Sequence, residues 1–145
     1  MSDSLAVKGH AHLGSHKYNK LVKFGAVYDL LATSLLMLPF LVAPILGVIM
    51  QLDSAMGFNS TFKPLDSTSL FLICLGACYV TIWGVFRFLN PSYQVGRLDA
   101  ILRFTVAIIQ IICVGMGATP ILLGITAVLI TLGLVQWFMA ENLSE

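Results

Sequence analysis

Four apolar runs, 24–50, 69–89, 98–117 and 120–140, dominate this chain, and their only formal charges are Asp29, Arg87, Asp99 and Arg103. A bilayer core about 30 Å thick is crossed by about 20 helical residues, so each run is long enough to span. Composition agrees, with 58% hydrophobic and 10% charged residues, against about 25% charged in an ordinary soluble domain. Too little polar surface is present to cover a globule, and the missing solvent is lipid. The expected fold is therefore all-α: an integral membrane four-helix bundle in one domain, 23–140. A polar, mobile leader (1–22) precedes it and a polar tail (141–145) follows.

The first run reads FGAVYDLLATSLLMLPFLVAPILGVIM. Pro39 and Pro44 remove backbone donors from its second half. A kink is expected there, or an early end to the regular helix and an interfacial stretch. Residues 51–68 form the sizeable loop, and its Asp66, Ser67 and Thr68 are good N-cap types for the second helix. That helix stops at Asn90-Pro91, because the residue before proline avoids the helical region. Residues 90–97 make a short connection, and Asp99 falls in the first turn of the third helix, where its charge suits the dipole. The stretch from Gly115 to Pro120 is a tight turn, with Thr119 as N-cap and Pro120 at the first helical position. The last two helices are thus an antiparallel hairpin.

The leader and the 90–97 connection with its flanks hold seven of the eight basic residues, and the 51–68 loop holds Lys63 alone. Positive charge in short loops marks the cytoplasmic face, so both termini are expected there. Phe24, Tyr28, Trp83, Phe86, Phe88, Phe104, Trp137 and Phe138 gather at the same face, as an interfacial aromatic belt does. The leader lacks a hydrophobic core and a small-residue cleavage site, so the first helix is expected to direct insertion itself. A net charge of +1 with no basic stripe excludes a nucleic-acid partner. Cys74, Cys78 and Cys113 all lie in apolar runs and read as small hydrophobes rather than a redox pair.

The candidate site follows from the embedded charges. An ionised carboxylate within an apolar run costs a few kcal/mol unless paired or wetted. Counted from the same face, Asp29 and Arg103 lie at similar depth, and Arg87 ends the second helix on that side. Asp99 and Arg103 are four apart, the spacing of a local ion pair. Asp29, Arg87, Arg97, Asp99 and Arg103 together make either a polar site for an anionic headgroup, quinone or small substrate, or a structural ion-pair network that sets the bundle's register. Gln110, near the middle of the third helix, reads as interhelical glue or a contact to a substrate in a central cavity. Small residues mark packing surfaces: Cys74, Ala77, Cys78, Thr81 and Gly84; Ala43 and Gly47; Gly124, Ala127, Thr131 and Gly133. No residue set points to a metal or cofactor. The three histidines, His10, His12 and His16, sit in the leader, which reads as a solvated tail. Ser-His-Asp, His-Glu-x-x-His and phosphate-binding glycine patterns are absent, and no catalytic residue can be named.

The stretches GAVYDLLATSLLMLPF, LGACYVTIWGVFRFLNPS and GRLDAILRF resemble the small bacterial four-helix membrane proteins called DoxX-like. Tyr28-Asp29 stands where the first helix of DoxX itself carries a Phe-x-x-x-Gly-x-x-Lys pattern. The resemblance implies an accessory, quinone-adjacent role beside a membrane oxidoreductase. The functional expectation is an accessory or interaction subunit of a membrane complex in the bacterial inner membrane. Its partners are the lipid bilayer and other membrane subunits or further copies of itself. The alternative is a lipophilic small-molecule binding protein, carrier or membrane-embedded enzyme that uses the polar site.

Overall fold

The computed structural model describes residues 3–58 and 60–141, with side-chain surroundings for 16–58 and 60–139. The described elements are all helical: α1 (Asp3–Thr33), a 3-10 turn (Ser34–Met37), α2 (Pro39–Ala55), α3 (Ser67–Leu89), α4 (Tyr93–Gly115) and α5 (Ile121–Glu141). Helices α3, α4 and α5 are each long and apolar enough to cross a membrane. Together, α1 from His16 and α2 pass the same test, but they are bent by 113° at their junction.

The first apolar run is therefore not one helix over 24–50. Leu38, held extended at φ −93 and ψ 110, separates the 3-10 turn from α2. Pro39 causes the break: it disfavours the helical region at Leu38, then starts α2 with a φ already suited to a first turn. After the bend, α2 runs to the α4–α5 turn, where the buried Asp53 carboxylate accepts the Thr119 hydroxyl. The same carboxylate accepts the Ser60 backbone N–H at 2.8 Å and the Ser60 hydroxyl at 2.7 Å. These bonds tie the end of α2 and the following loop to the hairpin.

The leader also departs from expectation. Helix α1 starts at Asp3 and continues without interruption into the apolar run. Tyr18 and Val22, four apart on one face, are fully buried against Tyr93, Val95 and Met139. Room for Tyr18 comes from Gly96, where an added Cβ would stand 2.1 Å from the phenol oxygen. Part of the leader thus belongs to the bundle. The side chains of His10 and His12, and residues 142–145 of the expected tail, lie outside the described residues.

Helix α4 begins at Tyr93 rather than Leu98, because the Ser92 hydroxyl caps it by accepting the Val95 N–H at 3.3 Å. The connection shrinks to residues 90–92, and Asp99 moves from the first turn to a buried position in the second. Its charge is consequently answered by side chains and not by the helix terminus. Local signals hold elsewhere: Asp66 caps α3 through the Ser69 N–H at 2.7 Å. The last two helices form the expected antiparallel hairpin, turned at Gly117 with φ +101, a backbone region that favours glycine. Helix α5 starts at Ile121, one residue after Pro120, and the Thr119 hydroxyl accepts the Ile121 N–H at 3.3 Å.

Helix α1 packs chiefly on α3, and α4 chiefly on α5. Close approach depends on Gly84, against which Leu30 of α1 lies, and on Gly133, against which the Phe104 ring lies. Gly124, Ala127 and Thr131 face outward instead, as one exposed stripe on α5.

Candidate functional site

Four of the embedded residues close into a ring. Arg87 of α3 places Nη2 2.5 Å from Asp29 Oδ2 and Nη1 2.5 Å from Asp99 Oδ1. Arg103 of α4 places Nη2 2.8 Å from Asp29 Oδ2 and Nε 3.0 Å from Asp99 Oδ2. Each guanidinium touches both carboxylates and each carboxylate touches both guanidiniums. With two arginines and two aspartates, the ring carries no net charge.

The helices that supply the ring explain its geometry. Asp99 and Arg103 meet by the i, i+4 rule on one face of α4. Arg87 comes from the last turn of α3 and Asp29 from α1. Gly25, one turn before Asp29, lets α1 lie against the charges: an added Cβ there would stand 2.8 Å from Arg103 Nη2 and 3.3 Å from Gln136 Nε2. Arg87, Asp99 and Arg103 are buried, and the Asp29 side chain is 15% exposed. From Lys23 to Asp29, and from Arg97 to Arg103, each helix rises about 9 Å. The ring thus lies well inside the bundle from its basic end.

Two neutral donors complete the Asp99 shell. Gln136 of α5, fully buried, donates Nε2 to Asp99 Oδ2 at 2.9 Å. Trp83 donates Nε1 to Asp99 Oδ1 at 3.3 Å, and the Arg87 guanidinium carbon lies 5.9 Å from the Trp83 ring centre. Through Gln136 the ring reaches a fourth helix, so α1, α3, α4 and α5 are joined by one polar cluster. Arg87 Nε, Gln136 Oε1 and Thr81 Oγ1 are buried with no hydrogen-bond partner among the described residues.

Two expected members are elsewhere. Arg97 is exposed, with its guanidinium carbon 4.9 Å from the Trp137 ring centre and 5.8 Å from that of Tyr93. Its Nη1 donates to the Tyr93 phenol at 3.3 Å. Gln110 lies higher in the bundle, where its Oε1 accepts the Thr126 hydroxyl at 2.8 Å, a bond between α4 and α5. Gln136, Trp83 and Gly25 were not anticipated as members. Gln136 did carry a signal, as a lone amide near the basic end of an otherwise apolar run.

Chemically, the ring is an unpromising place for an anion. Removing ions from water costs several kcal/mol each, and these ions are offset by one another at short range. An incoming anion would meet zero net charge and would have to displace a carboxylate to reach a guanidinium. Among the described residues, no group of three His, Cys, Asp or Glu is placed to hold a metal ion. The three cysteines are unpaired thiols. No family model, curated protein or solved structure matches this chain.

Proposed function

We propose that this chain is a non-catalytic membrane subunit, built to hold a fixed helical surface toward a larger membrane assembly or further copies of itself. We place both termini and the ion ring toward the cytoplasm and the α4–α5 turn on the other side, in a bacterial inner membrane. Lys17, Lys20, Lys23 and Arg97, all exposed near the basic end, support this orientation.

The observation that carries the reading is the closed, neutral ring. It spends its four charges on one another and on fixing the helices, and leaves none aimed at a substrate. Buried polar networks of this kind serve register in the best-attested cases. The outward Gly124, Ala127 and Thr131 stripe supports a docking role, since small residues allow close helix approach in lipid. The DoxX-like pattern points the same way.

The test is the native mass of the chain extracted in a mild detergent. The expected mass exceeds that of a single 15.8 kDa chain, and Gly124→Leu with Thr131→Leu reduces it. A chain that remains a monomer at every detergent concentration overturns the reading.

A further inference from the structure

Between α4 and α5, on the face turned away from the ring, runs an open groove of about 520 Å³. Ile101, Phe104, Ile108, Leu134 and Phe138 line it, with Trp137 at the basic end. Its one hydroxyl, that of Thr105, donates to the Ile101 carbonyl at 3.0 Å, which leaves the walls apolar. Arg97 lies one helical turn before Ile101 on the same face of α4, with its guanidinium over the Trp137 ring at 4.9 Å. An apolar trough thus ends beneath a cation seated on an indole.

We propose that this groove binds an acidic phospholipid, with the headgroup phosphate on Arg97 and the proximal part of one acyl chain between α4 and α5. Charge selects the occupant. Arg87 and Arg103 are neutralised within the ring, whereas Arg97 has no carboxylate partner among the described residues. Guanidinium donors match phosphate oxygens in pairs, and indole rings favour the headgroup level of a bilayer. From Ile101 to Ile108 the helix rises about 10 Å, so the chain enters the groove directly below its own headgroup. Lys23 supplies an internal control: it is equally cationic but lies 5.4 Å over the Phe88 ring of α3.

The experiment titrates delipidated protein in detergent with palmitoyl-oleoyl phosphatidylglycerol or with the matching phosphatidylcholine, and reads bound lipid by native mass spectrometry. The wild type favours phosphatidylglycerol about fivefold, the factor that about 1 kcal/mol per basic side chain represents. Arg97→Gln brings the preference close to one, and Lys23→Gln leaves it unchanged. Thr105→Trp, which fills the trough without touching the cation, lowers retention of both lipids. An unchanged preference in Arg97→Gln overturns the proposal. So does an equal loss in Lys23→Gln, which marks charge acting without a site. Dimerisation that displaces lipid from the wild type assigns the groove to a second copy and also overturns it.

Discussion

Asp29→Asn removes one charge from the ring with almost no change of shape. Arg87 and Arg103 lose their ionic contacts at 2.5 and 2.8 Å, and the remaining cluster carries one uncompensated positive charge. Breaking a buried pair by removing one partner costs about 3–5 kcal/mol, because the other charge stays buried. Asp29 is 15% exposed, which places the expected loss at the lower end, about 3 kcal/mol. Arg103→Met leaves the opposite excess and costs a similar amount. The double variant keeps the Arg87–Asp99 pair, whose contact is 2.5 Å, and is neutral again. Its loss should therefore be close to that of one single variant, a coupling of about 3 kcal/mol, at the upper end for residues in one network. Stability is read from helicity as a denaturing detergent is titrated into a mild one. If the two single losses add to within about 0.5 kcal/mol, the limit for independent sites, the ring is not an electrical unit.

Other parts of the fold carry four further outcomes. Gly96→Ala sets a Cβ 2.1 Å from the Tyr18 phenol oxygen, so it should destabilise by about 1–3 kcal/mol, as overpacking does. Gly76→Ala, inside α3 and meeting nothing within 4 Å, should instead stabilise by about 0.5–1 kcal/mol in the same detergent titration, as removal of a helix-interior glycine does. Thr119→Val removes the hydroxyl that Asp53 accepts, and amide exchange over 50–60 should accelerate while that of α3 does not; equal exchange in both proteins refutes the latch. Asp66 carries a pH test. Its carboxyl is held below the usual range, first by the Ser69 backbone N–H, so its contribution is complete above the ordinary value of about 3.9 and fades as pH falls through the lowered one. Asp66→Ala should therefore melt lower than the wild type at neutral pH and converge with it in strong acid; a difference that grows on acidification refutes the cap.

What could be read from sequence divides by the range of the forces involved. The ends of α3 lie near their expected places because Asp66 and Asn90-Pro91 act locally. Pro39 likewise announces the break after α1. The direction in which α2 leaves is a different matter, since its far end is held by Asp53 and Thr119, distant in the chain. Helical persistence through the leader was hidden by composition. Lys17 and Lys20 look like a solvated tail, yet lysine is a good helix former, and the same segment carries Tyr18 and Val22 on its inner face. Whether that face is buried depends on Gly96 in another helix, which no local pattern reveals.

The ring shows both the strength and the limit of counting along helices. Equal depth brought Asp29 to Arg103, and i, i+4 spacing brought Asp99 to Arg103, as the contacts bear out. Its place at the basic end also admitted Arg97, which rotation excludes: residues two apart on a helix point to nearly opposite sides, so Arg97 and Asp99 cannot serve one inward cluster. Gln110 fails in the converse way. It shares the inner face with Arg103, but seven residues on it stands about 10 Å higher, beyond the reach of an amide. Gln136 satisfies depth and face together, and it is the residue that Asp99 holds. A polar residue in a membrane helix thus joins a cluster only when rise and rotation agree. By that criterion Arg97 is directed outward, toward the groove that Ile101 and Trp137 line.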